Sequence, residues 1–183
     1  IKIFDKNGLK LPDLIEEEAW VSLTSEEDRI YKRDLYSKSY SAIRKVSWDV
    51  DDLKDSSKAN RLKDIIENAK EEGRKVIVFS FFRDTIAKIY DFLNGICLPP
   101  INGSISPQRR QEILDQFNDS KPGSVLISQI QAGGTGLNIQ CASVVVIAEP
   151  QLKPSIENQA IARAYRMGQT SNVLVYKLLC ENT

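Results

Sequence analysis

The chain has 183 residues, 42% of them hydrophobic, and its 25 basic and 25 acidic side chains cancel. That length and apolar share suit one folded domain with a real core and exclude a disordered segment. Zero net charge excludes nucleic-acid binding by bulk charge, so such a contact would need local basic clusters such as Arg109-Arg110.

Residues 1–56 read as a polar, helical lead-in. LPDLIEEEAWVSL, residues 11–23, alternates enough for a short strand or hairpin piece. Its Glu16-Glu17-Glu18 run reads as a solvated turn without metal-site spacing. Thr24 and Glu27 make a capping-box pattern, which predicts a helix running to about residue 46 with Tyr36, Tyr40 and Ile43 along one side. WDVDDLKDSS, residues 48–57, is acidic and rich in turn formers, and reads as a linker. Trp20 and Trp48 are expected to anchor the lead-in helix by packing rather than to stack on bases.

From residue 57 the rhythm becomes helix–strand alternation. Leu62, Ile65, Ile66 and Ala69 make one helical face, ended by Gly73. Residues 76–79 form a strand, and Ile86, Ile89, Tyr90 and Leu93 a second helix. Phe81 and Phe82, between them, are expected in the core or at an interface. A short strand at 98–101 is blurred by Pro99-Pro100. Ser106-Pro107 opens a helix through Ile113, Leu114 and Phe117. Residues 124–127 and 144–148 are β-branched runs typical of buried parallel strands. A helix opened by Ser155 and a strand at 173–179 complete the pattern. This alternation predicts an α/β domain, a mainly parallel sheet with helices on both faces. Loops at the carboxyl ends of such strands form the binding edge.

Two segments on that edge carry chemistry. The first is AGGTGLN, residues 132–138, between two strands. Glycines let backbone amides approach a ligand. A dinucleotide frame starting at Gly134 fails because Ile139 takes its last position, and a P-loop fails because no Lys-Ser or Lys-Thr follows. The second is QAIARAYRMGQT, residues 159–170. It predicts Gln159, Arg163 and Arg166 on a short helix stopped by Gly168, with both guanidiniums on one face. Such a pair can meet one polyanion, for example the terminal phosphates of ATP, or can simply be a solvated basic face. A glycine loop without a phosphate-grabbing lysine, followed by two arginines, suggests half of a nucleotide site. With no histidine, a His-ligated metal site and a Ser-His-Asp triad are excluded. Cys97, Cys141 and Cys180 form no C-x-x-C pair and are expected to be buried free thiols of a reducing cytosol. No apolar run is long enough to span a membrane. The chain starts at Ile1 and its one methionine is Met167, so a piece of a longer protein is expected.

These segments resemble motifs V and VI of superfamily 2 helicases, in the form used by Swi/Snf-type DNA translocases. That family carries AGG-x-GLN and then Q-A-x-x-R-A-x-R-x-GQ at about this spacing. KVIVFSFF, residues 75–82, resembles the motif IV strand. INGSISPQRR, residues 101–110, resembles the family's Gly-Ser stretch ending in an arginine, here Arg110. The resemblance covers about residues 57–182 and implies the second of two RecA-like lobes. Residues 1–56 would lead in from the side of the first lobe, and 57–183 would be the lobe itself. Arg163 and Arg166 would then be arginine fingers reaching the terminal phosphate of ATP. Gly134 and Gly136 would let the loop close near the nucleotide, with Gln159 bonding to neighbouring motifs. Gly103, Ser104, Arg110 and Gln131 would contact double-stranded DNA. A plain turn and a helix-surface arginine are the simpler readings of Gly103-Ser104 and of Arg110. The cofactor implied is ATP with Mg2+ held mainly by the first lobe of the same polypeptide, so this piece alone is expected to be inactive.

The chain departs from the family in places. Gln129-Ile130 stands where Ser-Thr is common, so that hydroxyl contact is lost and the Gln131 amide would replace it. Ala162 replaces a common Asp and Tyr165 a common His. EPQLKP, residues 149–154, resembles bacterial members, which implies a cytoplasmic or nucleoid-associated protein that does not act on nucleosomes. The alternatives are the same lobe of an RNA or strand-separating DNA helicase, and a non-catalytic RecA-like scaffold.

Overall fold

The computed structural model describes residues 11–132 and 137–183. In chain order their main elements are β1 (Leu14–Val21), α1 (Ser25–Tyr36), α2 (Tyr40–Arg44), α3 (Ser57–Glu71), β2 (Val76–Ser80), α4 (Arg83–Phe92), α5 (Pro107–Asn118), β3 (Val125–Gln129), β4 (Val144–Ile147), α6 (Pro154–Ile161) and β5 (Val173–Cys180). These strands join in one sheet in the order β1-β5-β4-β2-β3, every neighbouring pair parallel. Both β2 and β4 are buried along their whole length, as a parallel sheet covered on two faces requires.

Alternate residues of each strand serve opposite cores. Val76, Val78, Val144 and Val146 face one core with Leu62, Ile65 and Ile66 of α3 and Ile86 and Ile89 of α4. Ile77, Phe79, Val145 and Ile147 face the other with Ile113 and Phe117 of α5 and Ile161 of α6. The expected class, α/β with a parallel sheet and helices on both faces, is what forms. Among the described residues no helix is long and apolar enough to cross a membrane.

The lead-in differs from its sequence reading in four ways. The capping box at Thr24 and Glu27 does open a helix, but that helix stops at Tyr36 rather than near residue 46. The Ser37 hydroxyl bonds back to the Asp34 carbonyl, and Lys38 takes a left-handed φ of 53°. Such local side-chain bonding competes with the helical ladder. Tyr36 and Tyr40 are 92% and 62% exposed, so no buried face sustains the helix. The segment read as a linker instead enters the first core through Trp48, Val50 and Leu53. Trp48 is fully buried and its Nε1 donates to the Ala148 carbonyl at 2.8 Å. Each such apolar side chain contributes about 1.5–3 kcal/mol. Trp48 is thus the packing anchor expected, whereas Trp20 is half exposed on β1 and its indole donates to Glu18 on the same strand. Glu16-Glu17-Glu18 is solvated, as expected, but lies on strand β1 rather than in a turn.

Residues 98–101 make no full strand. Isolated bridges join Cys97 to Val125 and Ile101 to Ser128, because Pro99 and Pro100 between them lack the amide donors of a ladder. The three cysteines are free: Cys180 is buried, and Cys97 and Cys141 are only partly so. Burial pushes the Cys97 thiol up to about 12 and that of Cys180 to about 11, which keeps both protonated and unreactive.

Candidate functional site

Because the strands are parallel, Ser80, Gln129 and Ile147 all end at one edge, and the loops that follow them are neighbours. Their relative placement is set by a buried carboxylate. Glu149, two residues beyond β4, is fully buried. It accepts hydrogen bonds from the Ser80 hydroxyl at 3.0 Å, from the Phe81 amide and from Gln151 Nε2 at 3.2 Å. Burial pushes its carboxyl above the ordinary range, while the Phe81 amide and the charge of Lys58 oppose the shift. Lys58 is itself wholly buried and donates to the Ala148 carbonyl at 3.3 Å, and burial pushes its ammonium down. Sequence reasoning saw Glu149 only as part of EPQLKP. The missed signal was an acidic residue closing the all-apolar run of residues 144–148.

Arg44 of α2 reaches the same edge. Its guanidinium lies over the rings of Phe81 and Phe82, at 4.9 and 5.1 Å from their centroids, and Nη2 approaches the Pro150 carbonyl at 3.4 Å. The two rings meet edge to face at 5.2 Å. A cation over aromatic faces is attractive, so α2 is tied to the loops after β2 and β4. Phe81 is exposed and Phe82 half-buried, so neither is a core residue.

The DNA-side candidates gather around β3. Gly103 and Ser104 follow the Ile101 bridge, in an exposed turn. Their donors already have partners. The Gly103 amide donates to Gln129 Oε1 at 3.2 Å, and the Ser104 amide and hydroxyl both donate to Asn102 Oδ1, at 2.9 and 2.6 Å. Arg110, on α5, is half-buried, and its Nη2 donates to the Ile105 carbonyl at 3.3 Å. Gln131 is exposed in the turn after β3. Sequence reasoning missed Arg83, the first residue of α4. Its Nη2 donates to Ser104 Oγ at 3.0 Å and to Asn102 Oδ1 at 3.3 Å.

The nucleotide-side candidates are arranged otherwise than expected. Gly134 and Gly136 lie outside the described residues. The predicted two-arginine helix does not form, because α6 ends at Ile161 and both arginines follow in turns. The carbonyls that would extend the ladder are taken from elsewhere: that of Arg163 by the Ile139 amide at 3.0 Å, and that of Ala164 by Gln169 Nε2 at 3.0 Å. Buried Gln169 also reaches the Gln140 and Ala142 carbonyls, so its amide staples this turn to the strand-entry loop.

The arginines consequently have different surroundings. Arg163 is half-buried over the Phe79 ring, 5.9 Å from its centroid, and Nη1 donates to the Ala132 carbonyl at 3.3 Å. Burial, and then the charge of Arg110, push its guanidinium below the ordinary value. Arg166 is exposed. Gln159 is exposed on α6, and among the described residues its amide meets no partner. Tyr165 is buried, and its hydroxyl donates to the Pro12 carbonyl at 2.6 Å, which ties this segment to the lead-in. Among the described residues no group of three acidic or sulfur side chains is placed to hold a metal.

With that geometry established, comparison with known proteins gives consistent matches. Residues 57–168 match the family described as the helicase conserved C-terminal domain. The chain is 36% identical over 137 residues to an uncharacterised ATP-dependent helicase of Mycoplasma genitalium, covering 74% of this chain and 13% of that protein. It is 30% identical over 194 residues to ATP-dependent helicase fft2 of Schizosaccharomyces pombe, covering 100% of this chain and 15% of that protein. The chain therefore spans about one seventh of the curated relatives it matches. In structure it is similar to the C-terminal part of the Fun30 ATPase domain, with TM-score 0.83 at 20% identity, over 94% of this chain and 86% of that one. It is also similar to a Sulfolobus solfataricus SWI2/SNF2 ATPase core in complex with dsDNA, with TM-score 0.77 at 25% identity, over 94% of this chain and 42% of that one.

Proposed function

The chain belongs to the helicase conserved C-terminal domain family, and from that premise we propose that it is the second motor lobe of an ATP-dependent double-stranded DNA translocase. The observation that supports this most is the placement of Arg163 at the carboxyl edge of the sheet, where its Nη1 donates to the Ala132 carbonyl just before the glycine loop and its guanidinium lies over the Phe79 ring. Such an arrangement suits a surface that handles polyanions.

In this reading Arg163 and Arg166 act as arginine fingers toward the terminal phosphate of ATP. Phosphoryl transfer asks the protein mainly to position groups and stabilise charge. Arg163 is held by the Ala132 carbonyl and the Phe79 ring, so its position is set before any ligand arrives. Exposed Arg166 is free to turn toward a second lobe. Gly134, Gly136 and Gln159 would line the nucleotide side, and Gly103, Ser104, Arg110 and Gln131 the DNA side. By the same resemblance, the Mg2+ that accompanies ATP would be held mainly by the first lobe. Residues 1–56 would lead from that lobe into residues 57–183, with β1 adding a strand to the sheet on the way.

ATP hydrolysis by the longer parent and by this piece, each with and without duplex DNA, tests the reading. The expected result is a silent piece and a DNA-stimulated parent. A parent that responds only to RNA or single strands would move the lobe to a different helicase class. A parent silent with every nucleic acid would leave a scaffold.

A further inference from the structure

The resemblance places Gly103 and Ser104 against DNA, yet the donors of their turn are engaged within the protein. The Gly103 amide is committed to Gln129, and both donors of Ser104 to Asn102. What remains beside them is the guanidinium of Arg83. Among the described residues its bonds run from Nη2 to two neutral oxygens, Ser104 Oγ and Asn102 Oδ1. Arg83 is exposed, and among the described residues it makes no ion pair.

Nearby cations differ. Lys45 is neutralised by Asp84 at 2.8 Å, Arg109 by Glu112 at 3.0 Å, and Arg44 is spread over two phenyl rings. Asp84, next to Arg83 in sequence, is therefore occupied by Lys45 rather than by Arg83. The Arg83 charge is thus both uncompensated and held in place. Phe82 before it is anchored through its amide to Ser80 Oγ, which in turn bonds buried Glu149. A long, mobile side chain loses less entropy on binding when its position is set beforehand, and a planar guanidinium with spare N–H groups matches the paired oxygens of a phosphodiester.

We propose that Arg83 is the residue of this turn that contacts the DNA backbone, with Asn102 and Ser104 acting as the bracket that aims it. This inference rests on the double-stranded DNA reading above and deepens it. The contact is to phosphate, so it positions the duplex without reading its sequence.

The test is equilibrium binding of the full-length parent protein to a labelled duplex across a salt series. Each phosphate neutralised by a cation adds about one to the slope of log affinity against log salt. Arg83→Ala is expected to lower affinity roughly threefold or more and to reduce that slope by about one. Arg83→Gln keeps an amide donor for Ser104 and Asn102 but removes the charge, and is expected to lose the same slope. Arg83→Lys is expected to retain it. If Arg83→Ala or Arg83→Gln keeps the wild-type slope, or weakens binding at unchanged slope, Arg83 only braces the turn and the inference is overturned while the DNA reading stands. If the wild-type parent binds no duplex, the reading falls and this inference with it.

Discussion

Polar groups lie both beneath the carboxyl edge of the sheet and on its rim, and the two sets are held in opposite ways. Beneath the edge, Glu149 accepts from Ser80, Phe81 and Gln151, and Glu27 accepts from Ser47, Ser57 and Thr24. Lys58 lies buried with both carboxylates near enough to raise its pKa against the effect of burial. On the rim, Arg83 and Arg166 are exposed, and among the described residues Arg83 bonds to neutral oxygens alone. Buried charges without partners are costly, so the lower set is consumed in fixing the loops. The upper set keeps donors in reserve. Rim changes are therefore expected to alter activity at constant stability, and buried changes to alter stability first.

The largest effect is expected from Arg166→Ala in the full-length parent. As an arginine finger its loss would lower DNA-stimulated ATP hydrolysis roughly a thousandfold or more, while the thermal unfolding midpoint stays put because the side chain is exposed. Unchanged turnover would sink the finger assignment. A smaller effect is expected from Glu149→Leu, which strands the Phe81 amide and the Ser80 hydroxyl in the interior. Urea unfolding should show a loss of about 1–3 kcal/mol, and a neutral result would mean that the edge does not depend on this carboxylate. Most modest is a pH effect at Glu27. Burial works against its ionisation, but hydrogen bonds from Ser47 and Ser57 and from the Thr24 and Ser57 amides hold its pKa below the ordinary value. A carboxyl depressed in the folded state stabilises the fold above its unfolded pKa, near 4.5, and that contribution disappears as pH falls through the lower folded value. Glu27→Gln should therefore flatten the acid limb of stability against pH. An identical limb in the variant would assign acid sensitivity to other groups.

Much of the architecture could be read in the sequence because its signals are local. The apolar runs of β2 and β4 and the i, i+3, i+4 face of α4 needed no knowledge of distant residues. Departures arose where distant partners decide. The Arg163 carbonyl is taken by Ile139 and that of Ala164 by Gln169, so α6 ends before a periodicity that reads as helical. Trp48 sits among aspartates that look like a loop, yet its indole finds the Ala148 carbonyl 100 residues away. Arg83 carries no motif signal, because its partners Asn102 and Ser104 reach it only through the pairing of residues 97–101 with β3. Residue types on the edge were legible; which of their donors remain unspent was not.

Strand β1 pairs along its length with β5, Leu14 against Val173 and Val21 against Cys180. The two are separated by 159 residues, as is the Asp13–Asn172 contact beside them. A ribosome adding roughly 5–20 residues per second would therefore expose β1 for about ten to thirty seconds before its partner exists. During that interval the half-apolar strand, with Trp20 at its end, must be shielded by its own Glu16-Glu17-Glu18 charges or by a chaperone. The sheet is thus completed late, by a pairing that makes an intact carboxyl-terminal strand a condition for the stability of an amino-terminal one.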